Sequence, residues 1–259
     1  MIAVVNQLSA RIKPVNRESR RIGLARALSK LGYCSRSRAA ELIREGRVRL
    51  NGSVRRDPEI PVHLEKNYIE VDGVRVQSAR KIYLMLNKPR GLVTTASDEK
   101  GRPTIYSLLR PEDPLPWVSP VGRLDKASEG LLLVTNDSEW GARVAAPETL
   151  LQKTYHVQIG RVADEQVLQA IKRGVRSEFG EILSARECHL LRAGEKNSWL
   201  EIVLDEGKNR QIRRILAALD IAVLRVIRVA IGPLQLGKLP KASYRELTTE
   251  EKRRIDRAM

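Results

Sequence analysis

The sequence has few of the residues that hold metals or form covalent cross-links. Its 259 residues include two cysteines, three histidines and one phenylalanine, and aromatic residues make up only 4%. Cys34 and Cys188 lie too far apart to indicate a disulfide framework, and the scattered histidines lack the spacing of a zinc site. No run of about 18 apolar residues is present, and no secretory signal. We therefore expect a cytoplasmic protein without a metal and without a membrane partner.

Positive charge is the main feature of what is present. The chain carries 47 lysines and arginines against 31 acidic residues, a formal net charge of +16. Such an excess favours a polyanionic partner and says little about the fold. With 42% hydrophobic residues, mostly aliphatic, the chain is long enough for one large domain or for a large and a small one.

The charge is concentrated near the N-terminus, where residues 11–56 hold fourteen lysines and arginines against three glutamates. Apolar residues at helical spacing predict two short helices, 22–31 and 37–45. Asn51-Gly52 and Asp72-Gly73 predict two hairpin turns after them. The chain is thus predicted to have a flexible basic arm, a small domain and a larger domain, over residues 1–20, 21–78 and 79–259.

From Ile82 onward the pattern favours strands. The stretches that predict strands are IYLMLNKP, GLVTT, LLLVT, KTYHVQI, WLEIVL and VLRVIRVAIG. Helices are predicted between them at 138–145, 164–173 and 210–219. Strands mixed with helices, which we expect on one face of the sheet, indicate the α+β class.

One aspartate, Asp125, is notable for its place in the stretch VGRLDKASEGLLLVTND. Gly122 and Gly130 bracket a polar loop, and the run Leu131–Val134 after it is typical of a buried strand. A side chain on so short a loop is held by a rigid element, as a reacting group must be. The spacing alone fits equally an ordinary aspartate in a turn, which is far commoner.

Five blocks of the sequence, in order, resemble the pseudouridine synthases of the branch typified by RsuA and RluB. They are NKPRGLVTT, VGRLDKASEGLLLVTND, KTYHVQI, EGKNRQIRRIL and IRVAIGPLQL. Ahead of them, two helices followed by LNG resemble the S4-type RNA-binding module that this branch carries. The resemblance implies a small N-terminal S4-type domain followed by a catalytic domain with a mixed, mainly antiparallel sheet.

The resemblance assigns a role to each matching residue. Asp125 matches the essential aspartate that starts to break the glycosidic bond of uridine, as nucleophile or as base. Tyr155 matches the tyrosine that stacks on the target base and assists proton removal from C5, and Arg213 matches the basic residue that pairs with the catalytic carboxylate. Arg123 matches the arginine that fills the space of the flipped nucleotide. Ile231 would form an apolar wall of the uracil pocket.

Further basic residues are candidates for contacts with RNA phosphates. In the S4-type module these are Arg36, Arg38, Arg44, Arg47 and Arg49. In the second domain they are Lys88, Lys208, Arg210 and Arg214. From the residues alone, the arginines of the 210–219 helix could form a solvated face, and Tyr155 could serve packing only. Two short basic helices also fit a DNA-binding helix-turn-helix, although the hairpin after them argues against it.

The resemblance implies an isomerase that converts uridine to pseudouridine in ribosomal RNA or a ribosomal assembly intermediate, as a monomer and with no cofactor. The stretches KPRGLVTT and GRPTIYSLL are closer to members that modify large-subunit RNA. The alternative is an RNA-binding assembly factor that keeps the fold but does not depend on catalysis. A glycosidase would need a second acid at a defined separation, which the sequence does not indicate.

Overall fold

The computed structural model of the protein describes residues 21–96, 98–109 and 115–259. The chain divides into two compact units. The first extends to Leu28 and includes Arg36–Gln77, and the second comprises Ser29–Ser35 and Ser78–Met259. The predicted basic arm, 1–20, lies outside the described residues. Within them, no helix is long and apolar enough to cross a membrane.

Residues 22–75 form two helices and six short strands. These are β1 (Ile22–Gly23), α1 (Leu24–Lys30), α2 (Arg36–Arg44), β2 (Val48–Leu50), β3 (Ser53–Arg55), β4 (Pro61–Val62), β5 (Ile69–Val71) and β6 (Val74–Arg75). Strands β3, β2, β5 and β6 form one antiparallel sheet in that order, and β1 pairs with β4. Both predicted hairpins are confirmed, because Asn51-Gly52 and Asp72-Gly73 all have the positive φ angles that such turns require.

The second unit is larger and contains most of the strands. Its elements are β7 (Tyr83–Lys88), β8 (Ser119–Val121), β9 (Glu129–Thr135), α3 (Ser138–Ala145), β10 (Lys153–Ile159), α4 (Glu165–Arg173), β11 (Val175–Arg176), β12 (Ile182–Leu183), β13 (Glu187–Ala193), β14 (Ser198–Leu204), α5 (Gln211–Ala218), β15 (Val223–Ile231), β16 (Leu234–Gln235), β17 (Tyr244–Glu246) and α6 (Thr249–Ala258). Two short 3₁₀ helices are also present, Ile105–Leu108 and Pro147–Thr149.

A nine-stranded sheet organises this unit. Its order is β13-β14-β10-β15-β9-β7-β17, with β16 beside β15 and β8 beside β9. Strands β9 and β15 run parallel, and the other pairings in the sheet are antiparallel. The α+β class and the mixed, mainly antiparallel sheet are therefore confirmed.

The strand β9 explains why LLLV is apolar without alternation. Leu132 and Val134 belong to a core that includes apolar residues of α4 and α5, whereas Leu131 and Leu133 belong to a second core with those of α3 and α6. Successive side chains of a strand point to opposite faces, so both faces of β9 are buried. The expectation of helices on one face is wrong, because burying both faces of this strand requires helices on each side.

The helices of the second unit begin and end close to where the sequence predicted them. The structure has α3 at Ser138–Ala145, α4 at Glu165–Arg173 and α5 at Gln211–Ala218. The prediction of a strand at GLVTT is wrong, since Val93 makes only an isolated bridge to Thr104. Gly91 has a φ of +102°, which turns the chain out of the extended conformation after β7.

Candidate active site

One cleft of the second unit, of about 600 Å³, brings together most of the residues that the motifs singled out. Asp125, Tyr155 and Arg213 all line it, and we refer to it as the Asp125 cleft. Four further candidates line it as well: Arg123, Lys208, Arg210 and Ile231. They come from the loop before β9, from β10, from the segment between β14 and α5, from α5 itself and from β15, so the fold assembles the cleft from distant parts of the chain.

The loop that carries Asp125 connects β8 to β9. The Ser128 N–H donates to the Asp125 carbonyl oxygen at 3.0 Å, and the Thr94 hydroxyl donates to the Leu124 carbonyl oxygen at 2.8 Å. Gly122 enters the loop with a φ of +69°, a conformation that favours glycine. Within the described residues, no hydrogen bond or ion pair engages the Asp125 carboxylate. Its backbone is fixed while its oxygens remain available to a substrate.

Lys88 is buried beneath this loop, and the prediction that it faces RNA is wrong. Its side chain is fully buried at the end of β7. Its Nζ donates to the carbonyl oxygens of Pro89 at 3.2 Å, Asp125 at 3.0 Å and Ser128 at 2.8 Å. Burial lowers the pKa of Lys88 to about 8, although the negative charges of Asp125 and Glu129 oppose the shift. Lys88 thus holds both sides of the Asp125 loop in place.

The start of β9 is fixed by two residues directly after the loop. Glu129 is buried and accepts two hydrogen bonds of 3.1 Å from Arg225 and one of 2.6 Å from Lys241. Burial alone would raise the pKa of the Glu129 carboxyl, but the two cations outweigh it and hold the pKa below its usual value. Gly130 lies so close to β15 that a Cβ atom on it would be 2.2 Å from the Arg228 carbonyl oxygen.

Tyr155 forms part of the floor of the Asp125 cleft. It is buried in β10, paired with Ile202 of β14 on one side and with Arg228 of β15 on the other. Because side chains alternate along a strand, Tyr155 shares its side of β10 with Lys153. The central position in the sheet makes the ring a fixed surface on which a flat base can stack.

Arg213 enters the cleft from α5. Its Nη2 donates to the Ala127 carbonyl oxygen at 3.2 Å, and its Nε is buried without a hydrogen-bond partner. Burial lowers the pKa of Arg213, the neighbouring Arg210 lowers it further, and the negative charge of Asp125 acts in the opposite direction. The sequence predicted a direct pair between Arg213 and the carboxylate. The two line the same cleft, but no ion pair within 4.0 Å joins them.

The remaining basic candidates on and around α5 separate into two groups. Arg123, Lys208 and Arg210 are exposed and line the cleft. Arg214 does not line it, and the structure does not support its grouping with the others. Its guanidinium pairs instead with Glu181, and one of its nitrogens donates to the Ser177 hydroxyl at 3.0 Å.

The five arginines predicted to bind RNA in the first unit are all exposed. Two of them already have acidic partners. Arg47 forms a bidentate pair with Asp72, with distances of 2.8 and 2.6 Å, and Arg38 pairs with Glu41 at 2.9 Å. The side chains without such a partner in the described part of the chain are those of Arg36, Arg44 and Arg49.

Three charged residues of the cleft were missed by the motif analysis: Lys153, Glu206 and Arg228. Glu206 pairs with Lys208 at 2.9 Å. Lys153 lies two residues before Tyr155, and this spacing on a strand already places both on one side. Arg228 is a lone charge in the most apolar part of β15, where a cation is unusual unless it has a function or a partner. Among the described residues, no cluster of three histidine, cysteine, aspartate or glutamate side chains could hold a metal ion.

Comparison with known proteins agrees with this geometry. A family model described as RNA pseudouridylate synthase matches residues 82–218, and an S4 domain model matches residues 22–67. An uncharacterised RNA pseudouridine synthase of Aquifex aeolicus is 39% identical over 233 residues, which is 90% of this chain and 92% of the relative. The ribosomal large subunit pseudouridine synthase B of Bacillus subtilis is 33% identical over 235 residues, 90% and 94% of the two chains.

A solved structure is similar over nearly the same extent. The crystal structure of a pseudouridylate synthase superposes with a TM-score of 0.61 at 28% sequence identity. The match covers 90% of this chain and 99% of the other. The likeness therefore includes the first unit as well as the second.

Proposed function

Because the chain belongs to the RNA pseudouridylate synthase family and is an RNA pseudouridine synthase, we propose that it isomerises a specific uridine of ribosomal RNA, with Asp125 starting the reaction. The observation that carries the proposal is the meeting of Asp125, Tyr155 and Arg213 in one cleft. They lie 30 and 58 residues apart along the chain, so their meeting depends on the fold. The exposed cations Arg123, Lys208 and Arg210 favour a polyanion at the same opening.

The chemistry assigns each of these residues a task. The target uridine leaves its helix and enters the cleft, where Tyr155 stacks on the base. The Asp125 carboxylate then attacks C1′ of the ribose or removes a proton from C2′, and the bond between C1′ and N1 breaks. Arg213 contributes positive charge to the cleft that the carboxylate of Asp125 lines. The detached base rotates and C5 bonds to C1′, while the bond from C1′ to Asp125 breaks or, in the second route, C2′ regains its proton. The C5 proton is then released, and N1 takes up a proton.

We further propose large-subunit ribosomal RNA as the substrate and the cytoplasm as the location. The support is the Bacillus subtilis relative, which is named for the large subunit and matches nearly the whole chain. Residues 21–78 would bind the RNA through the exposed arginines of the first unit, and residues 79–259 would carry out the reaction, with one chain sufficient for both. The structure of ribosomal RNA, with its dense phosphates, suits the net charge of +16.

Release of tritium from uracil C5 tests this proposal. The protein is incubated with ribosomal RNA that lacks pseudouridine and carries tritium at C5, with large- and small-subunit RNA in separate reactions. We expect release from large-subunit RNA in an amount equal to one uridine per molecule. Tight binding of both RNAs without release would favour the assembly factor, and release from small-subunit RNA alone would refute the choice of subunit.

A further inference from the structure

Two unpaired cations lie side by side on the floor of the Asp125 cleft. Lys153 and Tyr155 face the same side of β10, and Arg228 is the partner of Tyr155 on β15. The three side chains line the cleft together with Ile231. A base that stacks on Tyr155 would lie in the part of the cleft that both cations line.

An irregularity in β15 brings Arg228 to this side. Lys153 pairs with Ile231 and Tyr155 with Arg228, so two steps along β10 correspond to three steps along β15. In a regular strand, residues three apart point to opposite faces. The extra residue forms a β-bulge, which allows Arg228 and Ile231 to face the cleft together. Gly130 of β9 lies against the backbone of Arg228 at this bulge, where only a residue without Cβ fits.

Among the described residues, no acidic side chain forms an ion pair with either cation. Arg228 is 5% exposed, its Nε donates to the Leu131 carbonyl oxygen at 2.7 Å, and its Nη2 is buried without any acceptor. Lys153 forms no ion pair within the described residues. Burial lowers the pKa of Lys153, and the positive charge of Arg228 lowers it further, although Asp205 opposes the shift. A buried and a half-buried charge of the same sign, without counter-ions, cost stability unless a ligand supplies negative charge.

The reaction supplies such a charge at this location. When the bond between C1′ and N1 breaks, its electron pair remains on the base, and the negative charge spreads over N1, O2 and O4 of uracil. The sugar carbon either bonds to Asp125 or becomes part of a double bond after C2′ loses a proton. The base departs as an anion in both cases, and it becomes neutral when C5 bonds to C1′; loss of the C5 proton and protonation of N1 then give pseudouridine.

We propose that Lys153 and Arg228 form a subsite for the uracil anion, which stabilises the base while it is detached and keeps it against Tyr155 as it rotates. The inference rests on the proposed function, since it assumes that uridine reacts at Asp125. Preorganised cations that face the position where charge develops stabilise the transition state more than the substrate. The neutral uracil of the bound substrate gains little from them.

Replacement of Lys153 by methionine tests the subsite, because it removes the charge and keeps the length. With the enzyme in excess over tritiated RNA, we expect the rate of tritium release to fall by about ten- to a hundredfold. The dissociation constant for RNA should stay the same. Lys153→Arg should recover most of the rate, and Lys196→Met, which removes an exposed lysine from the β13–β14 loop, should react like the wild type.

Thermal unfolding separates this role from a structural one. Since Lys153 is held next to Arg228 without a counter-ion, Lys153→Met should melt at or above the wild-type temperature although it is slower. Three results for Lys153→Met would overturn the subsite. The first is an unchanged rate of tritium release, and the second is weaker RNA binding with an unchanged rate at saturation, as expected for a phosphate contact. The third is a lower melting temperature that Lys153→Arg does not restore. A wild-type protein that releases no tritium refutes the proposed function and the subsite together, whereas an active Lys153→Met refutes the subsite alone.

Discussion

The Nζ atom of Lys88 lies 3.0 Å from the carbonyl oxygen of Asp125. This contact joins the end of β7 to the loop that carries the Asp125 carboxylate. The two residues are 37 apart in sequence, and a third group, the Ser128 carbonyl, accepts from the same Nζ at 2.8 Å. Lys88 therefore positions Asp125 from below, while the carboxylate faces the cleft.

Removal of the Lys88 ammonium should disturb the loop more than the rest of the fold. Lys88→Met leaves buried carbonyl oxygens without donors, which costs about 1–3 kcal/mol of unfolding free energy. Tritium release should fall as well, because the Asp125 loop loses its support. Lys238→Met, which removes an exposed lysine after β16, is the control and should match the wild type in both measurements.

The pH dependence of the same variant has a defined sign. The pKa of Lys88 is about 8 in the folded protein, compared with its ordinary value of 10.5. Between pH 8 and pH 10.5 the unfolded chain therefore binds more protons than the folded one. The contribution of Lys88 to stability therefore rises with pH across this window. Urea unfolding of wild type and Lys88→Met from about pH 7 to about pH 10 should show their difference growing above pH 8 in favour of the wild type. A constant difference would contradict the lowered pKa.

Gly130 and Gly91 form a matched pair for testing the close approach of β9 and β15. Both have a φ of +102°, but a Cβ atom meets the Arg228 backbone at Gly130 and open space at Gly91. Backbone strain of about 1–3 kcal/mol is common to both alanine variants. We expect Gly130→Ala to be less stable than Gly91→Ala by a further 1–3 kcal/mol or so, and to lose activity. Equal unfolding free energies would show that the strands separate easily.

Glu129 should stabilise the start of β9 in a pH-dependent manner. The carboxyl has a pKa below its usual 4.5 in the fold, so its contribution is present above that pH and is lost as the pH falls through the folded value. Glu129→Gln should cost about 1–3 kcal/mol at neutral pH and much less in acid. Glu250→Gln breaks an exposed pair with Arg253 and should have little effect at either pH.

The arginines of the first unit should differ in their effect on RNA binding. Arg36 and Arg49 have no acidic partner in the part of the chain that the structure describes, so each can release counter-ions when it meets a phosphate. Loss of both, in Arg36→Gln with Arg49→Gln, should reduce the slope of log affinity against log salt by about 1.5. Arg47→Gln removes a guanidinium already paired with Asp72 and should change the slope less. A larger loss of slope in Arg47→Gln than in the double variant would mean that the ion pair of Arg47 with Asp72 breaks when RNA binds.

The hairpins, three helices of the second unit and the long strands could be predicted from local patterns. Asn-Gly and Asp-Gly fix turns through their own backbone preferences, and the helices show apolar spacing over their whole length. The motif residues Asp125, Tyr155 and Arg213 were identified by resemblance, and the fold brings them into one cleft. GLVTT failed because a glycine with positive φ overrides an apolar run.

Lys88 and Arg228 depend on contacts that no local pattern contains. A lysine before a proline at the end of a strand is typical of the surface, and its burial here depends on carbonyls that arrive 37 and 40 residues later. In a regular strand, Arg228 and Ile231 would point to opposite faces. The bulge in β15 opposite β10 places both on the same face. Both features arise from the pairing of distant strands.

The rate of tritium release by Asp125→Asn tests the central claim most directly. The substitution keeps the size of the side chain and removes its negative charge, so RNA should bind as to the wild type. Asp164→Asn is the control, since asparagine also caps α4 well. We predict no tritium release from Asp125→Asn with bound RNA and wild-type release from Asp164→Asn. Release by Asp125→Asn at the wild-type rate would contradict the assignment of Asp125 as the group that starts the reaction.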